Sequence, residues 1–197
     1  MDLVSRTQAI ILKPKEEWVK IKGEKTSIAL LFTTYAAILA LIPAVAQFIG
    51  FGLIGRHIPF YGPYKEPIGR ALFHAILFYV FTLVATYVFG LVINALAPSF
   101  GSKQSMENAM KLAVYSMTPG WIAGIFYIIP ALGFLALIAG IYGLYVLYLG
   151  FATPMMETAK EKVMGFFIVS LVVYVVLMVV IALILGAIFT VGLGTGL

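Results

Sequence analysis

A chain of 197 residues that is 62% hydrophobic and 11% charged, with mean hydropathy +1.07, has too little polar surface to coat a water-soluble globule. The formal charge is +5, but the positives flank apolar runs, so topology and anionic-lipid contact explain them and nucleic acid is excluded as a partner. The absence of cysteine removes disulfides, thiolate metal sites and cysteine nucleophiles.

The composition is that of an integral membrane protein, and the chain divides into a polar segment, 1–25, and a membrane domain, 26–197. The segment is not a secretory signal, because its first apolar run, Ala9 to Leu12, is too short. Pro14 to Gly23 is predicted to be a short helix: Pro14 suits its first position, Glu16 and Glu17 its positive end, Lys20 and Lys22 its negative end. Trp18 and Ile21 share a face, so the helix is expected at the headgroup level with Trp18 as interfacial anchor. Its basic residues would meet anionic lipids or dock a partner.

Five spans are expected in an all-α polytopic bundle: about 27–54, 71–97, 112–129, 131–153 and 163–191. Each is near or above the roughly 20 residues needed to cross a bilayer. Pro130 would turn spans three and four into a hairpin, and Pro154 would stop span four. With the N-terminus inside, the inner segments carry ten Lys and Arg against three outside. That bias predicts a multi-pass cell-membrane protein with a cytoplasmic N-terminus and an external C-terminus. The loop Gly55 to Pro67, RHIPFYGPYKEP within it, is dense in proline and reads as an ordered turn.

Span three carries two stripes. Ala109, Ala113, Ser116, Gly120 and Gly124 form a small-residue seam, answered on span four by Gly133, Ala136, Gly140 and Gly143. Such seams let helix backbones approach closely in membranes. The expected pairing is the hairpin itself; the alternative is that one seam serves a homo-oligomer. The second stripe is polar: Glu107, Lys111, Tyr115 and Thr118, with Asn94 at the end of span two as a further candidate. Glu107 and Lys111 form an i, i+4 pair, and Pro119 leaves the Tyr115 carbonyl without its helical donor. Two readings stay open: a capped, kinked helix end reached by water at the cytoplasmic edge, or a functional polar site. Tyr142, Tyr145 and Tyr148 line up on span four and either pack or border a groove.

No catalytic constellation accompanies these stripes. The two histidines, His57 and His74, lie on the outer side, and neither a phosphate-binding glycine loop nor an H-E-x-x-H pair occurs. No enzyme activity, metal or cofactor is expected.

Several stretches resemble the prokaryotic branch of the Yip (Ypt/Rab-interacting protein) family of five-span membrane proteins. They are ILKPKEEWVKIKGE at Ile11 to Glu24, Tyr-x-x-Thr-Pro at Tyr115 to Pro119, the tyrosine run from Gly140 to Tyr148, and EKV at Glu161 to Val163. The resemblance covers nearly the whole chain. It implies five spans and a cytoplasmic N-terminus, and for eukaryotic relatives it implies binding of Rab-type GTPases in vesicle traffic. This chain has only about 25 residues before its first span, against a long cytoplasmic domain in those relatives. Three roles are therefore carried forward: a membrane-organising scaffold, a small channel or transporter along the polar stripe, and an adaptor docking partners through its N-terminal helix.

Overall fold

The computed structural model describes residues 2–194 except 59, 61 and 154, with backbone alone at 58 and 181–194. The stop assigned to Pro154 and the last three residues of the chain therefore lie outside the described residues.

The N-terminal segment forms two helices, where the sequence predicts one. Helix α1, Leu3–Leu12, is capped by the Asp2 carboxylate, which accepts from the Val4 amide at 2.8 Å. The Ser5 hydroxyl, also on that carboxylate, is the largest cause holding the Asp2 carboxyl below its ordinary value. Lys13 leaves helical geometry because Pro14 follows it. Helix α2, Pro14–Gly23, then folds back with Glu16 and Glu17 in its first turn.

The first long helix is continuous from Ile28 to Ile54, capped by the Ser27 hydroxyl. It consists of α3 (Ile28–Leu31), a π turn over Phe32–Ala36, α4 (Ala37–Phe48) and a second π turn over Ile49–Ile54. Gly50 shows why the last turn is rich in glycine. A Cβ there would lie 2.1 Å from the Tyr127 carbonyl oxygen, so only a bare backbone fits.

The proline-dense loop is a β-hairpin, which departs from the all-α expectation. Strands β1 (Arg56–Ile58) and β2 (Gly62–Tyr64) pair antiparallel, with Arg56 opposite Tyr64. Gly55 and Gly62, at φ +87° and +80°, supply the positive-φ backbone just before β1 and at the first residue of β2. Helix α5, Ile68–Leu96, follows and tightens into a 3-10 turn over Ala97–Phe100, where Pro98 removes a donor.

The third predicted span is not one helix. It is broken into α6 (Met106–Ser116), α7 (Thr118–Ala123) and a 3-10 turn over Gly124–Ile128. The break falls at Met117, because Pro119 cannot donate to the Tyr115 carbonyl. Helices α8 (Gly133–Ala152) and α9 (Lys160–Gly194) complete the chain. Among the described residues, four helices are long and apolar enough to cross a membrane, against the five expected: 28–54, 68–100, 130–152 and 160–180.

The core forms where α6 sits among α5, α8 and the N-terminal pair. Met110, Leu112, Val114, Phe89, Leu147 and Phe166 are buried there. The small-residue seams divide between two neighbours. A Cβ on Gly143 would meet the Ser116 carbonyl oxygen at 2.7 Å, and one on Gly120 would lie 4.0 Å from the Gly140 Cα, so this part closes the α7–α8 hairpin. Gly124 turns instead to Pro43 of α4, 2.5 Å from its would-be Cβ. Gly133 lies against the Tyr127 ring, while Ala109, Ala113 and Ala136 are buried.

Candidate functional site

Arg6 of α1 is the centre of a buried charge cluster. It is 4% exposed and donates to Glu17 of α2 and to Glu24 just beyond it. Folding at Lys13–Pro14 brings positions 6 and 17 face to face, although 11 residues separate them. Glu17 is 1% exposed and takes a second donor, the Lys20 ammonium at 3.1 Å. A buried ion pair gains little unless further hydrogen bonds offset its desolvation. Here one guanidinium serves two carboxylates, and one carboxylate serves two cations.

Lys111 of α6 joins this cluster to the membrane domain. Its side chain is 1% exposed, so water does not reach it directly, although its partner Glu107 is 39% exposed. The Lys111 ammonium donates to the carbonyl of Ile21 at 3.4 Å, to the carbonyl of Glu24, and to the Glu107 carboxylate at 2.7 Å. The two carbonyls end α2, so the cation meets the negative end of that helix. Glu107 also accepts from the Thr26 amide at 2.8 Å. The Lys111 hydrogen bond is the main cause lowering the Glu107 carboxyl below its ordinary value, opposed by desolvation and helped by the Thr26 amide.

Trp18 is the clearest departure from the sequence reading. It is fully buried against the bundle, so its ring is not presented to lipid headgroups as an anchor would be. Its indole N–H donates to the Val146 carbonyl at 2.9 Å, and its ring lies on the bare backbone of Gly150. A buried indole needs a partner for its N–H, and α8 supplies one together with the space to reach it. The Tyr142 hydroxyl completes the attachment by donating to the Ile11 carbonyl at 2.7 Å.

An aromatic and hydroxyl layer lies beside the charges. Tyr115 meets Trp18 and Tyr35 edge to face, at 6.2 and 4.9 Å between ring centres, and the Arg6 guanidinium lies 5.6 Å from its ring centre. The Tyr35 hydroxyl bonds the Thr118 hydroxyl at 2.9 Å and Thr7 at 3.5 Å. Next to this layer is a cavity of about 450 Å³, lined by Asp2, Arg6, Glu24, Lys25, Tyr35 and Tyr115. Tyr115 is 5% exposed, and its hydroxyl has no hydrogen-bond partner among the described residues.

The structure thus gathers Glu107, Lys111, Tyr115 and Thr118 into one region. Asn94 shares no hydrogen bond with them among the described residues. Its carbonyl accepts from Gln104 at 3.2 Å, and its buried Oδ1 has no partner there. Sequence reasoning missed Arg6, Glu17, Glu24 and Tyr35. The available signal was Lys111, a charge beside an apolar run that required oppositely charged or carbonyl partners elsewhere in the chain.

A family model described as the Yip1 domain matches residues 9–193, and the chain belongs to this family, in its prokaryotic branch. It is 29% identical over 166 residues to "Inner membrane protein YohC" of Escherichia coli K12, covering 83% of this chain and 85% of that protein. The same figures hold for the protein of that name from Escherichia coli O6:H1 strain CFT073. No solved structure matches. The chain is a membrane-embedded helical protein of the Yip1 family.

Proposed function

We propose that this protein is a non-enzymatic, five-pass membrane-organising scaffold whose N-terminal helix pair is a fixed cytoplasmic platform on the bundle. One observation carries this reading: the polar stripe of α6 is engaged in holding that pair. Lys111 bonds two carbonyls at the end of α2, Glu107 bonds Thr26, and Arg6 bonds Glu17 and Glu24. A side chain engaged in this way is a clamp. A conducting path would instead continue through Thr118, but Thr118 is closed by Tyr35 and followed by Pro119 and Ile122.

The outer side of the helix pair exposes Lys13, Lys15, Lys20 and Lys22, together with Leu12 and Val19. This face suits anionic headgroups, at about 1 kcal/mol per lysine near such a surface. The name of the Escherichia coli relative gives that protein an inner-membrane location, and we carry this location over. The broken run over 112–129 is read as the fifth crossing, which leaves the C-terminus outside. The α7–α8 seam is read as the hairpin core, and the lipid-facing side of α8 as the contact between copies.

The test is stoichiometry in a detergent-free lipid particle, where a scaffold forms a defined oligomer and a strictly monomeric state overturns the reading. Topology is checked separately by a fusion at Leu197. An enzyme reporter active only outside the cell supports five crossings, and a fluorescent cytoplasmic reporter overturns them.

A further inference from the structure

A second cavity, mainly apolar but holding charged groups, lies at the other end of the first long helix, away from the N-terminal pair. It has a volume of about 390 Å³, and its lining includes Gln47, Phe51, Arg56, Glu66, His74 and Phe78. These residues come from the last turns of the Ile28–Ile54 helix, the β-hairpin and the start of α5. The cavity therefore opens where two membrane-crossing helices leave the apolar layer. Leu53, Ile54, Ile68 and Leu72, exposed beside it, would face lipid.

The cavity holds two opposite charges that do not pair with each other. Arg56 lies over the Phe51 ring, 5.3 Å from its centre, and forms no ion pair among the described residues. Glu66, with 14% of its side chain exposed, meets His74 Nδ1 at 3.1 Å. The backbone fixes both positions: Arg56 is held by its pairing with Tyr64, and the Glu66 amide donates to the Phe51 carbonyl at 3.0 Å. The Gln47 amide lines the same space without a hydrogen-bond partner among the described residues. Separated, fixed charges in a semi-enclosed, aromatic-walled space match a ligand carrying both signs.

We propose that this cavity binds a primary-amine zwitterion. The ammonium would donate to Glu66, and the neighbouring anionic group, a phosphate or carboxylate, would accept from Arg56 and Gln47. A purely anionic ligand would leave its charge beside Glu66, and a purely cationic one would face Arg56. Two sources share this chemistry: the headgroup of an aminophospholipid and a free small zwitterion. The inference rests on the membrane placement of the helices and is independent of the scaffold reading.

The test uses the full-length protein in phosphatidylcholine nanodiscs titrated with phosphatidylethanolamine or phosphatidylglycerol, read by thermal shift and by native mass spectrometry of retained lipid. Soluble phosphoethanolamine is a third arm. The expected result is retention of phosphatidylethanolamine about tenfold or more above phosphatidylglycerol, the scale of one charge-assisted hydrogen bond. Arg56→Gln, at an exposed position that spares the fold, should weaken retention of both lipids. Glu66→Gln should remove only the preference for the amine. Competition by phosphoethanolamine assigns the site to a free zwitterion, and binding of the lipid alone assigns it to the headgroup. Equal retention of both lipids, indifference to Arg56→Gln, or binding in neither arm overturns the proposal.

Discussion

Trp18 and Val146 are 128 residues apart in the chain, yet the Trp18 indole donates to the Val146 backbone carbonyl at 2.9 Å. The contact exists because Gly150, one turn further along α8, has no side chain; a Cβ there would lie 2.9 Å from carbons of the indole ring. One aromatic ring thus secures the polar N-terminal segment to a membrane helix.

Trp18→Phe keeps most of the packing and loses one hydrogen bond, so it should cost about 1 kcal/mol. Trp18→Ala also empties a buried site and should cost about 3–5 kcal/mol. Thermal unfolding in detergent measures both, and limited trypsin digestion at Lys15 and Lys22 reports release of the helix pair. Undiminished protease resistance in Trp18→Ala would show that the ring does not hold the segment down.

The Arg6 cluster makes a prediction about coupling. Removing one partner of a buried ion pair typically costs about 3–5 kcal/mol, because the other charge is left buried without compensation. Arg6→Met and Glu17→Gln should each approach that range. The double variant should be less destabilised than the sum, since it leaves Glu24, which is more exposed, as the only widowed carboxylate. A double-mutant cycle on midpoint denaturation reads the coupling, and strict additivity would mean that the two side chains act separately.

The bundle was legible in the sequence because hydropathy over some 20 residues is a local property. The helix at 28–54 and the Pro14–Gly23 helix follow from composition and end signals alone. The third span is legible as an apolar run, and its kink follows from Pro119; how far the break goes is not, because hydropathy is indifferent to helix continuity, whereas Pro119 acts on one hydrogen bond and ends α6 at Met117. Glu107, Lys111, Tyr115 and Thr118 were visible as a stripe, since α-helical periodicity is also local. Their partners were not. Arg6 and Glu24 reach Lys111 and Tyr115 only after α1 and α2 fold onto the bundle, and such separations leave no periodic trace. Trp18 failed for the same reason: the pattern that places an indole at a headgroup also fits one that finds a carbonyl 128 residues away.

Glu107 sets a pH dependence. Its folded-state carboxyl is held below the ordinary value of 4.5, chiefly by Lys111. A depressed carboxyl contributes stability that is complete above its unfolded value and is lost as pH falls through its folded value. The stability gap between wild type and Glu107→Gln should therefore be constant from neutrality down to about pH 4.5 and shrink below it. Fluorescence-monitored unfolding of Trp18 in a Trp121→Phe background follows the gap. A gap that widens with acid would reverse the sign and exclude Glu107 as a stabilising carboxylate.

Two glycines of α8, three residues apart, should respond oppositely to the same change. A methyl group on Gly143 would lie 2.7 Å from the Ser116 carbonyl oxygen, backbone that cannot turn aside, so Gly143→Ala must push α6 and α8 apart. At Gly140 a Cβ meets nothing within 4 Å. Alanine there relieves the roughly 1 kcal/mol cost of a mid-helix glycine, though a bilayer-spanning helix gains less of this than one in water. Gly140→Ala should thus be neutral or mildly stabilising. Gly143→Ala should cost about 1–3 kcal/mol, the range for overpacking. Thermal midpoints of the two variants in one lipid mixture decide it. Equal destabilisation would mean that Gly140 is packed against something outside this chain, which is the outcome a self-association seam on α8 would produce.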